Sequence, residues 1–123
     1  MLSRLARRSA PLLLALSLPI VAAPAAFAHA ILVEATPAAG ATVAGPDLAI
    51  RLRFNSRIDG ARSHLTLVRG DRQERVVTLE PQQAPQLLTA KLAGIAPGAY
   101  KLRWQVLAAD GHITRGEVPF RVS

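Results

Sequence analysis

The segment Tyr100-Lys101-Leu102-Arg103-Trp104-Gln105-Val106-Leu107 decides the fold class of this chain. Tyr100, Leu102, Trp104 and Val106 alternate with the other four residues. This period of two is typical of a β-strand that buries one face and exposes the other. We expect Tyr100 and Trp104 to be core aromatics of a β-sandwich, with the Tyr100 hydroxyl bonded to the backbone as in a tyrosine corner.

Similar strand-like runs lie on both sides of this segment. They are Ala30 to Thr36, Leu48 to Asn55, Leu65 to Leu67, Val76 to Leu79, Gln86 to Leu92 and Val118 to Val122. Helical periodicity is hard to find after residue 28. About seven short strands, with turns roughly every ten residues, predict an all-β domain, either a Greek-key β-sandwich or a barrel. Pro119 has no amide donor, so the last strand should lie at a sheet edge or carry a bulge.

Residues 1–28 have the three parts of a secretory signal peptide. A positively charged start with three arginines precedes an apolar run, and Ala26-Phe27-Ala28 gives the small-x-small pattern that signal peptidase accepts. The apolar run is shorter than the ~20 residues of a membrane span, which argues against an uncleaved anchor. We predict cleavage after Ala28, with cuts after Ala25 or Ala30 as alternatives, leaving one domain at residues 29–123.

Composition limits what the mature domain can do. The chain has 15 Lys and Arg, 8 Asp and Glu, no Cys and one Met. Residues 1–28 contain three of the basic residues and none of the acidic ones, so the mature domain keeps 12 against 8, a charge of +4. Its arginines are scattered singly and its aromatic residues are few, which argues against nucleic-acid binding. Because the only methionine is Met1, a metal site in the mature domain must use nitrogen and oxygen ligands.

Two histidines are the candidate metal ligands. Cleavage would leave His29 with a free α-amine beside its own imidazole, so two nitrogens of one residue could chelate a metal. In Asp110-Gly111-His112, residues two apart on an extended segment point to the same side, and Gly111 would let the backbone pass close beneath. The tripeptide alone is a weak signal. Together, three nitrogens and one carboxylate suit Cu(II), which binds most tightly among the divalent first-row metals. Zn(II) is the competitor for such a site, because it also accepts histidine and carboxylate ligands.

Two other polar residues are assigned structural roles. His64 alternates with apolar neighbours, so we expect it on the hydrated face of a strand rather than at a metal. Glu34, close to the mature start, is likewise interpreted as a solvated strand residue.

Four motifs of the chain match a known family. They are His29-Ala30-x-Leu32-x-x-Ala35-Thr36-Pro37-Ala38-x-Gly40, Leu52-x-Phe54-Asn55, Pro97-Gly98-x-Tyr100-x-Leu102-x-Trp104 and Asp110-Gly111-His112-x-x-x-Gly116-x-x-x-Phe120. Together they resemble the CopC family of periplasmic copper-binding proteins over essentially all of residues 29–123. The resemblance implies a seven-stranded cupredoxin-like or immunoglobulin-like barrel in the periplasm. In it, His29, Asp110 and His112 hold one Cu(II) ion per chain.

The resemblance also implies a biological role. That role is periplasmic copper homeostasis, either as resistance or as supply of copper to a CopD-type inner-membrane protein for uptake. Apart from the resemblance, we expect a monomer without enzymatic activity. Two departures from the family pattern matter. Some members bind Cu(I) in a methionine-rich loop, and no methionine follows Met1 here. Some members also place an acidic residue near the copper, just after the position of Phe54, where this chain has Asn55-Ser56-Arg57.

Two alternatives to a copper carrier stay open. An amino-terminal histidine paired with a second histidine also occurs in copper-dependent oxidative enzymes that cleave polysaccharides. Against this, the domain is too short for long substrate-binding loops, and a carboxylate ligand tends to fill a position that oxygen activation needs open. The other alternative is a metal-free sandwich domain for protein interaction, in which the Asp110–His112 segment is an ordinary loop.

Overall fold

The computed structural model of the chain describes residues 11–19, 29–70 and 74–123. The strands in these ranges are β1 (Leu32–Thr36), β2 (Thr42–Val43), β3 (Leu48–Phe54), β4 (Ile58–Arg69), β5 (Glu74–Val77), β6 (Leu87–Leu92), β7 (Gly98–Ala108) and β8 (Ile113–Val122). They form a three-stranded sheet in the order β1-β3-β6 and a five-stranded sheet in the order β2-β8-β7-β4-β5.

The predicted all-β fold is confirmed, and the two sheets make it a β-sandwich. The seven predicted runs correspond to β1 and to β3 through β8. The strand that was not predicted is β2, which pairs in parallel with Arg121 and Val122 of β8. Its two residues are too few to show a period of two. The predicted run Leu65 to Leu67 is the regular part of the much longer β4, whose pairing with β7 is interrupted between Asp59 and His64.

The core lies between the two sheets and follows the alternation in the sequence. From β3, the side chains at positions 48, 50, 52 and 54 point inward and are buried. From β7, Tyr100, Leu102, Trp104 and Val106 meet them from the other sheet. Phe54 and Trp104 pack edge to face with ring centroids 5.3 Å apart. Burial of this continuous apolar layer is the main stabilising contribution in a domain without disulfides.

The prediction for the aromatic strand is confirmed, and the edge prediction for the last strand holds only around Pro119, because β8 lies between β2 and β7 in the sheet. The Tyr100 hydroxyl donates a 2.6 Å hydrogen bond to the carbonyl of Ala96. Among the described strands, none pairs with β8 at Pro119 on the side away from β7, because the pairing with β2 begins only at Arg121. The Pro119 carbonyl accepts a bond from the Gly40 amide on that open side, so the missing donor of Pro119 interrupts no bond to β7.

Most of the predicted signal peptide, including the cleavage motif Ala26-Phe27-Ala28, lies outside the described residues. Residues 11–19 are exposed and have no regular secondary structure. Within the ranges that the structure describes, no helix has the length and apolar character needed to cross a membrane.

Candidate metal centre

The Asp110–His112 segment lies in the tight connection between β7 and β8. The amide of Ala108 donates to the carbonyl of His112 at 2.8 Å, and the amide of Gly111 donates to the carbonyl of Ala108 at 3.0 Å. Gly111 has a φ of 84°, in the left-handed region that glycine adopts without steric cost. Apart from its two chain neighbours, no described residue has an atom within 4 Å of the position that its Cβ would occupy. The glycine is therefore needed for its backbone angle, and the predicted close approach of backbone was wrong.

Asp110 and His112 meet through this turn and not along an extended strand, so the physical reason given from sequence was wrong. The Oδ1 atom of Asp110 accepts a 2.9 Å bond from the backbone amide of His112. Its Oδ2 atom lies 2.8 Å from Nδ1 of the His112 ring. The backbone hydrogen bond is the largest influence that holds the pKa of Asp110 below its ordinary value, and the His112 ring adds to it. Asp110 is thus a carboxylate at neutral pH.

His29 reaches the same place from the start of the domain. Ala30, the next residue, is completely buried in the core. The amide of Ile31 donates to Oδ1 of Asn55 at 2.7 Å, and the amide of Asn55 donates to the carbonyl of Ile31 at 2.9 Å. The segment before β1 is thereby attached to the end of β3. Asn55 lies just before β4, and β4 pairs with β7. The attachment of Ile31 to Asn55 therefore brings His29 beside the β7–β8 turn.

The three residues predicted as ligands come together at one end of the sandwich. One ligand atom from each of His29, Asp110 and His112 can be chosen so that all lie within 4.8 Å of one another. The two imidazole rings are 4.9 Å apart at an angle of 64°. The side chain of His112 is 65% exposed and that of Asp110 is 24% exposed. The cluster is therefore open to a metal ion arriving from solvent.

The spacing within the Asp110–His112 pair fits neighbouring ligands of one metal. Two donors bound at roughly 2.0 Å and at a right angle to each other lie about 2.8 Å apart. The observed separation between Oδ2 and Nδ1 is 2.8 Å. An ion bound to both atoms would replace the proton between them and would lie to one side of the line that joins them, so both side chains would have to turn from their present hydrogen bond.

His64 and Glu34 are where the sequence predicted them. His64 lies on β4 opposite Gln105, is exposed, and is not in the cluster formed by the described metal-ligating side chains. Glu34 accepts a 2.9 Å hydrogen bond from Arg53 on the outer surface of the three-stranded sheet. The expectation that both are solvated strand residues is confirmed.

Two contacts in the β3–β4 turn were not foreseen. The first is the pair of bonds between Asn55 and Ile31. The second is a 3.1 Å bond that the amide of Ala109, in the β7–β8 turn, donates to the carbonyl of Arg57. An asparagine directly after an alternating strand is a turn signal that sequence can supply. Its partner Ile31 is far away along the chain, so only the folded structure identifies it.

Comparison with known proteins identifies the family. The sequence model of the CopC domain family matches residues 32–123 of this chain. Protein YobA of Escherichia coli K12 is 33% identical over 103 residues, covering 80% of this chain and 82% of that protein. Copper resistance protein C of Xanthomonas campestris pv. juglandis is 29% identical over 111 residues, covering 83% of this chain and 86% of that protein.

A solved structure agrees with this assignment. The crystal structure of CopC from Methylosinus trichosporium OB3b superposes with a TM-score of 0.69 at 31% sequence identity, covering 77% of this chain and 94% of that chain. The chain therefore belongs to the CopC family, whose members are copper-binding proteins of copper resistance and transport.

Proposed function

We propose that the mature protein is a periplasmic carrier that holds one Cu(II) ion through His29, Asp110 and His112. The observation that carries the proposal is the convergence of these three residues within 4.8 Å, although they come from opposite ends of the domain. Neither the chain start nor the β7–β8 turn supplies enough ligands by itself. The pairing of the strands brings both together.

The donor set supports Cu(II). After cleavage before His29, the α-amine and the imidazole of this residue would supply two nitrogens, His112 a third and Asp110 an oxygen. Tetragonal nitrogen and oxygen sites favour Cu(II), and the domain offers no sulfur for a strong Cu(I) site. Because Asp110 is already ionised, it can compensate part of the charge of the metal. Acid should release the ion as the nitrogen ligands take up protons.

The role of Asp110 depends on which ring nitrogen of His112 binds. We propose Nδ1, since its 2.8 Å separation from Oδ2 suits two ligands of the same ion. An ion on Nε2 would keep the hydrogen bond and leave Asp110 as the group that orients the ring. Hyperfine spectroscopy of the copper complex distinguishes the two imidazole nitrogens.

A carrier accounts for the arrangement better than an oxidative enzyme does. The carboxylate of Asp110 stands beside both histidines, where an oxygen-activating copper needs an open position. An exposed cluster at a turn also allows a second protein to reach the ion. We propose that a CopD-type inner-membrane protein receives the copper from a monomer of this protein, and that residues 1–28 direct export.

The test begins with the mature amino terminus. The protein is exported, its first residue is determined by sequencing, and Cu(II) is titrated while the fluorescence of Trp104, the only tryptophan, is recorded. We expect His29 to be first, one equivalent of Cu(II) to bind with quenching, and Zn(II) to compete poorly. His112→Ala should bind much more weakly, while the matched variant of the other exposed histidine, His64→Ala, should bind as the parent does. A mature chain with another first residue and unchanged affinity would contradict the proposal.

A further inference from the structure

Asn55 belongs to no predicted ligand set, yet its contacts hold the segment that carries His29. Its side-chain oxygen accepts the amide of Ile31 at 2.7 Å, and its backbone amide donates to the Ile31 carbonyl at 2.9 Å. We propose that Asn55 is a positioning residue of the metal centre, which fixes the backbone two residues after His29. This inference rests on the proposed copper site and deepens it.

The β1–β3 pairing does not include Ala30 and Ile31, so it does not set the direction of the backbone there. The β1–β3 ladder begins only at Leu32, and its register shifts between Leu32 and Glu34. The side chain of Ile31 is 59% exposed and contributes little anchoring. Ala30 is fully buried and anchors the segment to the core. The two reciprocal hydrogen bonds define both position and direction.

The same turn also contacts the other half of the site. Asn55 binds the chain start, and two residues later the carbonyl of Arg57 accepts the amide of Ala109 at 3.1 Å. Ala109 directly precedes Asp110 in the β7–β8 turn. Residues 55–57 therefore connect both ligand-bearing segments and set the distance between the His29 and His112 rings, now 4.9 Å between centroids.

The experiment compares three variants of the exported protein, with and without Cu(II). Asn55→Ala removes the acceptor of the Ile31 amide, whereas Asn55→Asp has the same shape and keeps an acceptor. Tyr100→Phe is the matched control, because it removes one side-chain bond to a backbone carbonyl, at the opposite end of β7. The measurements are the affinity for Cu(II), the electron paramagnetic resonance spectrum of the copper complex, and the nuclear Overhauser effect between the two imidazole rings in the metal-free protein.

We expect Asn55→Ala to lose the ring-to-ring signal, to bind Cu(II) about 3- to 10-fold more weakly, the range that the loss of one hydrogen bond gives, and to change the copper spectrum. Asn55→Asp should restore the ring-to-ring signal of the metal-free protein, which is its only readout, because its new carboxylate stands where some family members place an acidic residue near the copper. Tyr100→Phe should lower the melting temperature and leave all three readouts unchanged.

Two results separate this inference from the proposed function. If Asn55→Ala keeps the ring-to-ring signal and its affinity stays within about twofold of the parent, Asn55 has no positioning role, and the copper site itself stands. If His29→Ala binds copper as the parent does, the proposed site is wrong. The ring-to-ring signal of metal-free Asn55→Ala then still decides whether Asn55 positions His29.

Discussion

The packing of Trp104 against Gly116 predicts that replacing this glycine by alanine destabilises the domain. The two residues are direct partners on β7 and β8. A Cβ built on Gly116 would lie 2.3 Å from Cζ2 and 2.6 Å from Cε2 of the indole. Carbon atoms pack favourably at about 3.5–4.0 Å, so the ring would have to move by more than ~1 Å. Trp104 is only 7% exposed and packs against the buried Phe54, which leaves it little room.

The expected cost follows from two opposing effects. Overpacking of a core costs typically about 1–3 kcal/mol, and the lower flexibility of an unfolded chain with alanine returns about 0.4–1 kcal/mol. Because the 2.3 Å contact is far inside van der Waals distance, we take the upper part of the overpacking range, about 2–3 kcal/mol. The net loss for Gly116→Ala should then be about 1–2.6 kcal/mol, which in a domain of this size lowers the melting temperature by roughly 4–20 °C. Urea denaturation followed by circular dichroism measures it.

A control and a double variant make the Trp104–Gly116 prediction refutable. Among the described residues, no atom lies within 4 Å of the Cβ position of Gly70, so Gly70→Ala should leave stability within ~0.5 kcal/mol of the parent. In the background Trp104→Phe, which lacks the clashing atoms, Gly116→Ala should cost much less, and the double-mutant cycle gives the coupling. Equal stability of Gly116→Ala and the parent would refute the reasoning.

Three further predictions concern charged side chains. Asp110→Asn should weaken Cu(II) binding by about 10- to 100-fold, measured by competition titration, and an unchanged affinity would remove Asp110 from the site. The hydrogen bond from Arg103 lowers the pKa of Glu117, so this bond stabilises the domain above about pH 4.5 and stops doing so as the pH falls. The difference in stability between the parent and Glu117→Gln, measured at a series of pH values, should therefore shrink in acid and not grow. Glu34→Gln breaks an exposed ion pair with Arg53, so copper affinity should not change and stability should fall by less than ~1 kcal/mol.

Sequence periodicity was sufficient for the sandwich because each long strand has one buried face. The alternation at Leu48 to Phe54 and at Tyr100 to Val106 reports that burial directly. It fails for β2, where two residues show no period, and for the irregular part of β4, where the turn formed by Asp59 breaks the alternation. Strand order depends on contacts between distant segments, which a periodic pattern does not contain.

The sequence indicated the three candidate ligands through the amino-terminal histidine that cleavage would create, the Asp110–His112 pair and the resemblance to the CopC family. The way in which the fold brings these ligands together could not be predicted from the sequence. Asp110 meets His112 through a turn with a left-handed Gly111, and a tripeptide on an extended strand would have placed them differently. The attachment of Ile31 to Asn55 joins segments that are distant in sequence, so it becomes visible only in the folded chain.

The most direct test of the copper site concerns the α-amine of His29. Two preparations of the exported protein are compared by competition titration with Cu(II), one beginning at His29 and one with a single alanine before it. The extra residue turns the amine into an amide and leaves every side chain in place. The account predicts at least about tenfold weaker binding for the extended protein, equivalent to ~1.4 kcal/mol. Equal affinity of the two preparations would contradict it.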